Sequence, residues 1–313
     1  MIKKIKKKLR KYIKQELSDN FASVIRRELK MQKNQELLLL QNGRIWSKNI
    51  DVLNIKSIHD AEFKVFSQWG DDGIIQYLIK ALDIKNKIFV EFGVENYLES
   101  NTRFLLFNNN WSGLVMDGND KNIDQIKNSD YYWKYDLKAK SAFITAENIN
   151  DLIQSEGLEG NIGLLHIDID GNDFWIWEAL DVVKPTIMIV EYNSVFGKEK
   201  AITVPYKSDF TRAEAHYSNL YAGASLPALY DLAKKKGYVF VGCNSAGNNA
   251  YFVEKEALKN IKPLSIKEGY VASKFRESRD QDGKLNYLSG EDRLKSLKGL
   301  SIYNIVSNKI EEL

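Results

Sequence analysis

The chain has 313 residues, of which 44% are hydrophobic and 28% charged, and its net charge is +3. This composition excludes a disordered chain, and this length excludes a miniature domain that relies on disulfides in place of a core. The single cysteine, Cys243, excludes a disulfide framework and a paired-cysteine zinc or redox site, so we expect a reducing, cytoplasmic location.

The N-terminal segment is strongly basic. Residues 1–42 carry 12 Lys or Arg against 4 Asp or Glu, so the rest of the chain is mildly acidic. Apolar residues recur every three or four positions from Ile2 to Leu29 with lysines between them, which predicts a long amphipathic helix. Such a helix can lie on an anionic membrane or pack against another copy of the chain, and both alternatives stay open. No apolar run reaches the roughly 20 residues of a membrane-spanning helix.

Residues 43–85 are interpreted as a connecting or lid segment with a helix from about Asp72 to Leu82. From residue 86 onwards, buried-type strands alternate with helices. The strands are predicted at 87–93, 112–118, 131–137, 161–170 and 185–193, and the helices at 99–110, 120–129, 147–157 and 172–183. Repeated strand–helix units predict a parallel sheet with helices on both faces.

The chain then departs from this alternation. A polar insert at about 193–222 is followed by a helix over 224–237 and by two apolar runs within 238–253, which predict an antiparallel hairpin. We therefore predict an α/β fold, with a Rossmann-like, doubly wound, seven-stranded sheet that ends in an antiparallel hairpin and occupies residues 86–255. Residues 256–313 are interpreted as a charged C-terminal extension.

Polar residues follow the predicted strands at the edge where open α/β sheets bind ligands. The first strand lacks a GxGxxG motif and the chain has no Walker A motif, so a pyrophosphate cradle is poorly supported. A cofactor without phosphates needs a carboxylate for an amine, a glycine for close backbone approach and an acid for ribose hydroxyls. Glu91, Gly93 and Asp117 meet these three needs. In the alternative interpretation, Gly93 is a tight turn and Asp117 a helix cap.

These strand ends resemble those of class I S-adenosylmethionine-dependent methyltransferases, and among them the FkbM-type and macrocin-type sugar O-methyltransferases. The resemblance covers about residues 60–255 and is carried by FVEFGVENYLESNTRFLL, GLVMDGND, LLHIDIDGNDFWIWEAL, IMIVEYN and the closing hairpin. It implies that S-adenosylmethionine binds at Glu91, Gly93, Asn101, Asp117 and Asp168. Glu95 and Asn96 stand where the family usually has further glycines.

A second group of oxygen-bearing side chains follows the fourth and fifth strands. Asp168 or Asp170, together with Glu191 and Asn193, offers the oxygen ligands that Mg²⁺ prefers. We therefore expect a divalent cation, as in metal-dependent O-methyltransferases, where the cation lowers the pKa of the hydroxyl to be methylated. In the alternative interpretation, Asp168 and Asp170 cap the helix that begins near Asn172.

Three histidines are available for proton transfer. His216 lies in the polar insert that should overhang the site, and an imidazole with a pKa near 6.5 suits proton removal from a hydroxyl. We predict His216 and Asp168 as the catalytic residues. His166 lies inside an apolar strand and is expected to be a hydrogen-bonded core residue.

The predicted function is S-adenosylmethionine-dependent O-methylation of a sugar or surface-glycan precursor. The alternatives are an NAD-dependent oxidoreductase and a non-catalytic scaffold of the same fold in a membrane-associated glycan assembly. The mildly acidic body disfavours nucleic acid as a partner. The expected partners are the glycan precursor, an anionic membrane contacted through residues 1–30, and a second copy of the chain. We expect a cytoplasmic protein attached to the inner face of the plasma membrane.

Overall fold

The computed structural model describes the backbone of residues 2–313 and the side chains of residues 21–28 and 30–313. The chain divides into two compact units, Met1–Ile45 and Trp46–Leu313. The predicted catalytic domain, residues 86–255, and the predicted C-terminal extension, residues 256–313, therefore belong to the same unit.

The N-terminal segment is helical, as predicted, and the helix continues beyond the apolar stripe. Helix α1 comprises Ile2–Asn49. Most of the stripe falls outside the described side chains, but its members Phe21 and Ile25 are 69% and 44% exposed. Among the described helices, none is long and apolar enough to cross a membrane.

Strands and helices alternate through the first part of the second unit. They are α2 (Asp71–Ala81), β1 (Ile88–Phe92), α3 (Arg103–Asn109), β2 (Ser112–Asp117), α4 (Asp120–Lys127), β3 (Leu137–Ser141), α5 (Ile149–Gln154), β4 (Gly160–Ile167), α6 (Asp173–Ala179) and β5 (Val183–Glu191). The later elements are β6 (Ile202–Thr203), α7 (Arg212–Ala215), α8 (Leu226–Lys235), β7 (Tyr238–Cys243), β8 (Asn249–Glu254), α9 (Ile266–Gly269), α10 (Glu291–Lys295), β9 (Ser301–Asn304) and β10 (Lys309–Glu312).

The main sheet has seven strands in the order β3-β2-β1-β4-β5-β8-β7. Strands β1 to β5 pair in parallel, whereas β8 is antiparallel to both β5 and β7. The predicted α/β fold, a Rossmann-like doubly wound seven-stranded sheet that ends in an antiparallel hairpin, is therefore confirmed. The chain builds outwards from β1 to β3 and then returns to add β4 on the other side of β1, so the strand order reverses between β1 and β4.

Both faces of the sheet are covered, which explains why its central strands are almost continuously apolar. Val90 and Leu165 belong to a cluster with Trp177 and other residues of α5, α6 and α8. Their chain neighbours Phe89 and Leu164 belong to a second cluster with residues of α2, α3 and α4. Neighbouring residues fall in opposite clusters because side chains alternate across a strand. These two layers fix the strand ends at which the polar residues collect.

The third strand, β3, lies further along the chain than the predicted range, which rests on a run of aromatic residues. The prediction over 131–137 is wrong, because β3 begins at Leu137 and Tyr132–Lys134 form a short 3₁₀ helix. Tyr131 and Tyr135 instead pack against Phe107 of α3, with ring centroids 5.2 and 4.9 Å apart. Strand β3 lies at the edge of the sheet and exposes Lys138 to solvent, so its sequence carries a weak apolar signal.

The C-terminal extension contributes to a second sheet, of three strands in the order β10-β9-β6. Strand β9 is antiparallel to both of its neighbours. Because β6 comes from the polar insert after β5, this sheet joins the insert to the extension. A hydrophobic cluster that includes Phe196, Leu220 and Leu297 packs with it. The sequence did not predict these strands, which have only two to four residues each.

Candidate functional site

A cavity of about 540 Å³ is lined by residues at the carboxyl ends of β1, β2, β4 and β5. This edge includes the point between β1 and β4 where the strand order reverses, which is where open α/β sheets bind ligands. Among the described residues that line it, eight are acidic, and Arg212 is the only lysine or arginine. The acidic residues are Glu91, Glu95, Glu99, Asp117, Asp168, Asp170, Glu191 and Glu277. A wall of this charge favours cationic ligands over anionic ones.

Most of the predicted site residues line this one cavity. They are Glu91, Gly93, Asn101, Asp117, Asp168, Asp170 and Glu191. These residues lie at or just after the ends of β1, β2, β4 and β5, and they are far apart in the chain. The parallel sheet brings them together because its strands end at the same edge.

Two predicted residues, Asn193 and His216, are not among the described residues that line the cavity. The Asn193 Nδ2 donates to the Leu220 and Ala222 carbonyls, at 2.8 Å in each case, so this amide holds the polar insert against the end of β5. The His216 Nδ1 lies 2.7 Å from the Ser218 hydroxyl oxygen, and burial lowers the pKa of His216. The structure therefore does not bring either side chain to the predicted cation site.

Glu91 is buried at the end of β1 and is surrounded by hydrogen-bond donors. Its Oε1 accepts from the Asn101 N–H at 2.9 Å, and its Oε2 accepts from the Thr102 N–H at 3.1 Å and from the Ser100 hydroxyl. The His166 Nδ1 lies 3.0 Å from Oε1, so His166 is a buried, hydrogen-bonded residue, as predicted. Burial alone would raise the pKa of Glu91, but the hydrogen bond and charge of His166 hold it below its ordinary value. Both oxygens of Glu91 are thus engaged by the protein, which fixes the loop before α3.

The turn after β1 depends on glycine because two backbone segments meet there. Gly93 has a φ of +74°, and its N–H donates to the Met116 carbonyl at 2.9 Å. A Cβ at this position would lie 1.6 Å from the Asp168 carbonyl oxygen. From the sequence we predicted that this glycine allows the backbone to approach a cofactor closely. The structure shows a second reason why residue 93 must be glycine. The end of β4 approaches so closely that no side chain fits.

Asp117 ends β2 and joins the loops on either side of it. Its Oδ2 accepts from the Glu95 N–H at 2.8 Å, and its Oδ1 accepts from the Asn119 N–H at 2.9 Å and from the Asn122 Nδ2 at 3.0 Å. The N-cap of α4 is Asn119, whose side chain accepts from the Lys121 N–H, so the interpretation of Asp117 as the helix cap is wrong. Among the described residues, Oδ2 has one donor, and a carboxylate oxygen can accept two.

Three carboxylates converge at the ends of β4 and β5. One oxygen from each of Asp168, Asp170 and Glu191 lies within 4.8 Å of the other two. Burial and the charges of Glu191, Asp170 and Asp173 raise the pKa of Asp168 well above its ordinary value. Burial and the charges of Asp170 and Asp173 also raise the pKa of Glu191 to about 8. Like charges at this spacing require a proton or a cation between them.

The loop that carries Asp168 and Asp170 is held by Asp173. The Asp173 carboxylate accepts from the Ile169 N–H at 2.9 Å and from the Gly171 N–H at 3.0 Å. Helix α6 begins at Asp173. The side chain of its N-cap residue, Asn172, makes no capping hydrogen bond. The alternative in which Asp168 and Asp170 cap this helix is therefore wrong, and the cluster needs another explanation.

Two residues of the polar insert, Phe210 and Arg212, complete the wall and were not predicted. The Arg212 Nη1 donates to the Asp170 carboxylate at 2.6 Å, and its Nε donates to the Asn219 carbonyl at 2.8 Å. The Phe210 ring lies so close to Gly171 that a Cβ there would come within 2.3 Å of it. The sequence indicated that the insert overhangs the site, but no periodic signal marks which of its side chains face inwards.

Two buried amides in the cavity wall also escaped prediction. The Asn172 Nδ2 donates to the Lys207 carbonyl at 2.9 Å, and the Asn249 Nδ2 donates to Asp71 at 3.0 Å. Each asparagine is only 3% exposed, and its Oδ1 has no hydrogen-bond partner among the described residues. Buried oxygens are rarely left unpaired, so each can accept a hydrogen bond from a water or a ligand in the cavity. Neither asparagine belongs to a recognisable motif.

No model of a protein family matches the chain, and no curated protein does either. Among solved structures, the N-terminal domain of EvdMO1 with SAH bound is similar at 10% identity and a TM-score of 0.38, covering 66% of this chain and 93% of that one. An O-methyltransferase from Bacillus cereus in complex with SAH is similar at 13% identity and a TM-score of 0.37, covering 70% and 89%. An S-adenosylmethionine-dependent methyltransferase from Clostridium acetobutylicum ATCC 824 has 10% identity and a TM-score of 0.38, covering 58% and 89%. At these values the likeness carries no conclusion about activity.

Proposed function

We propose that Trp46–Leu313 is an S-adenosylmethionine-dependent O-methyltransferase that acts on a hydroxyl of a sugar or glycan precursor with the help of a divalent cation. One observation carries the proposal. An acid-lined cavity lies where the strand order reverses, in a sheet whose final hairpin is antiparallel. In this proposal the ends of β1 and β2 hold the methyl donor, and the ends of β4 and β5 hold the reacting hydroxyl.

The charge of the cavity supports this methyl donor over a dinucleotide. S-adenosylmethionine has a sulfonium and an ammonium group and no phosphate, whereas NAD has a negatively charged pyrophosphate. Eight acidic residues and one arginine among the described lining residues attract the first and repel the second. The oxidoreductase alternative is disfavoured for this reason. In the donor half, the Asp117 Oδ2 can accept a further hydrogen bond from a ribose hydroxyl.

The carboxylate cluster fits a hard divalent cation, with Mg²⁺ favoured. Asp168, Asp170 and Glu191 would hold it, since carboxylate oxygens are the preferred ligands of such ions. Bound there, the cation would act as a Lewis acid that stabilises negative charge on a substrate oxygen. The protein's own part is to keep the ligands in place, which Asp173 does through the Ile169 and Gly171 backbone N–H groups.

The chain also offers a proton acceptor at the same point. A carboxylate oxygen of Asp168 belongs to the cluster that lines the cavity, so it can take the proton of a hydroxyl placed there. His216, the predicted base, does not line the cavity, so Asp168 is the better supported of the two predicted catalytic residues. The role of Asp168 as a cofactor ligand stays a prediction.

The residues beside the cluster suit an acceptor rich in hydroxyl groups. The free Oδ1 atoms of Asn172 and Asn249 can each accept a hydrogen bond from such a group. Phe210 adds an apolar ring beside Gly171, against which the carbon face of a sugar ring can pack. Two acceptor oxygens and one ring support a carbohydrate over an apolar substrate.

Methyl transfer itself tests the proposal. The full chain is incubated with S-adenosylmethionine labelled at its methyl group, magnesium and a glycan fraction from a cell lysate, and the glycans are examined by mass spectrometry. We expect labelled methyl ethers on one glycan species. Binding of S-adenosylmethionine with no labelled product from any fraction would favour the scaffold alternative.

Replacing Asp117 by alanine is expected to weaken S-adenosylmethionine binding by about tenfold or more, because a hydrogen bond to a charged group contributes about 1.5–3 kcal/mol. Isothermal titration calorimetry measures the change. The matched control is Asp120→Ala, which removes a nearby acid that does not line the cavity. Equal affinities in the two variants would remove Asp117 from the donor site.

The basic segment, residues 1–42, is proposed to attach the enzyme to anionic membranes. Its net charge is +8, and exposed Phe21 and Ile25 offer apolar contact. We expect the full chain to sediment with vesicles containing phosphatidylserine at low salt and to dissociate as salt rises. Replacing the five lysines between residues 3 and 8 by glutamine should release it. If the variant and the native chain sediment alike, the oligomerisation alternative is favoured, and their masses in solution test it.

A further inference from the structure

Arg293 of α10 is a buried cation without an anionic partner. It is 8% exposed, and its Nη1 donates to the Ser273 hydroxyl oxygen at 2.5 Å. Its Nε is buried and has no hydrogen-bond partner, and no carboxylate of the described residues pairs with it. Arginine is almost never buried unless it is paired. An anion from outside the chain would supply such a partner.

A second guanidinium faces the same space. Arg212 and Arg293 both line a small cavity of about 40 Å³ that adjoins the main one. Burial and the positive charge of Arg212 lower the pKa of Arg293. The charge of Arg212 is met by Asp170, whereas that of Arg293 is met by no described carboxylate. Two cations that repel each other across a small cavity would both be stabilised by one bound anion.

We propose that this small cavity binds a carboxylate group of the acceptor, held by the guanidinium of Arg293 with Arg212 beside it. The inference rests on the proposed function and narrows its substrate class to a hydroxylated carboxylic acid, such as a uronic acid residue. Glu191 and Arg212 line both cavities, so an anion bound here lies next to the cation cluster where the reacting hydroxyl is placed.

The size of the cavity favours a carboxylate over a phosphate. Its volume of about 40 Å³ suits a small group, since a bound water alone needs roughly 10–15 Å³. A carboxylate, with three heavy atoms, needs less space than a phosphate group, with five. The planar fork of arginine also matches a carboxylate with two parallel hydrogen bonds. The Nε of Arg293, which has no hydrogen-bond partner among the described residues, is one of the donors available for that pair.

The remaining wall is compatible with an anion. The hydroxyls of Ser194 and Ser273 line the cavity, and each can donate a hydrogen bond in addition to the one it accepts. Glu191 is the one acidic residue among the described lining residues, and the cation proposed for the cluster would offset its charge. Arg293 lies in the C-terminal extension, which this inference makes part of the acceptor site.

Binding of small acids to the full chain tests the inference without any turnover. We would titrate D-glucuronate, its uncharged amide D-glucuronamide, and D-glucose 6-phosphate by calorimetry in the presence of magnesium. D-glucuronate is expected to bind about tenfold or more tightly than the amide, since the two differ in the charged group alone. Equal affinity for acid and amide overturns the inference, and tighter binding of the phosphate overturns the choice of carboxylate.

Variants then locate the site. In Arg293→Met the preference for D-glucuronate over the amide should disappear, and in Arg293→Lys it should be reduced, because lysine keeps the charge but loses the fork. The control is Arg276→Met, which removes an exposed arginine of the same extension and should keep the preference. If Arg293→Met fails to fold, Arg293→Lys and the native comparison still decide. A separate titration with S-adenosylmethionine distinguishes failure of this inference from failure of the proposed function.

Discussion

Replacing Glu191 by glutamine is expected to lower the rate of methyl transfer by about a thousandfold. The substitution removes one of three carboxylates that converge within 4.8 Å, so the cation is no longer held. Lewis-acid stabilisation contributes several kcal/mol, and each 1.36 kcal/mol is a factor of ten in rate. Steady-state kinetics with saturating magnesium measures the loss, and chelation of the native enzyme should reproduce it.

The control for this substitution is Glu178→Gln, which changes an exposed acid of α6 outside the cavity and should leave the rate unchanged. Cation affinity should also depend on pH. The pKa of Glu191 is raised to about 8 without a cation, so the side chain must lose a proton to bind one, and affinity should increase as the pH rises towards 8. Full activity of Glu191→Gln, or of native enzyme shown by elemental analysis to be free of metal, would contradict the proposed role of the cation in methyl transfer.

The second large effect is expected from Gly93→Ala. Its Cβ would lie 1.6 Å from the Asp168 carbonyl oxygen, and the backbone fixes the positions of both atoms, so neither can rotate away. Displacing them costs about 3 kcal/mol or more, which lowers the melting temperature by roughly 6–12 °C in a domain of this size. Because the same contact joins the turn after β1 to the cluster loop, we also expect S-adenosylmethionine and cation binding to weaken together.

Gly157 provides the matched control. Its φ of +75° is almost that of Gly93, but a Cβ there would have no atom within 4 Å. Gly157→Ala should therefore show only the backbone cost of a left-handed alanine, about 1 kcal/mol. Comparing the melting temperatures of the two variants separates the cost of the left-handed backbone from the cost of the clash with Asp168. If the two melt at the same temperature, the close approach of the β4 end to Gly93 is not what fixes this turn.

The fold was predictable because its signal is repetitive. Buried strands alternate with helices from β1 to β5, and the closing hairpin is marked by two apolar runs around Gly247. The failure at β3 has a physical cause. An edge strand is less buried, and the aromatic residues before it, such as Tyr131, pack in the core without joining the sheet.

Most of the predicted site residues line one cavity, but the sequence did not indicate their hydrogen-bond partners. Residues such as Asp117 and Asp168 were found because parallel strands end at one edge of a sheet. The sequence could not show that Glu91 is already saturated by the loop before α3, since those hydrogen bonds depend on loop geometry. Nor could it show Arg212 and Arg293, which reach the cavities from an insert and an extension with weak periodicity.

Calorimetric titration of the full chain with S-adenosylmethionine tests most directly whether the acid-lined cavity is a methyl-donor site. We expect saturable binding at one site per chain, retained in chelator because the cation cluster lies at different strand ends from Asp117. NAD should give no binding heat, since the same acidic wall repels its pyrophosphate. No saturable heat with S-adenosylmethionine, or displacement of it by NAD, would contradict the proposed function.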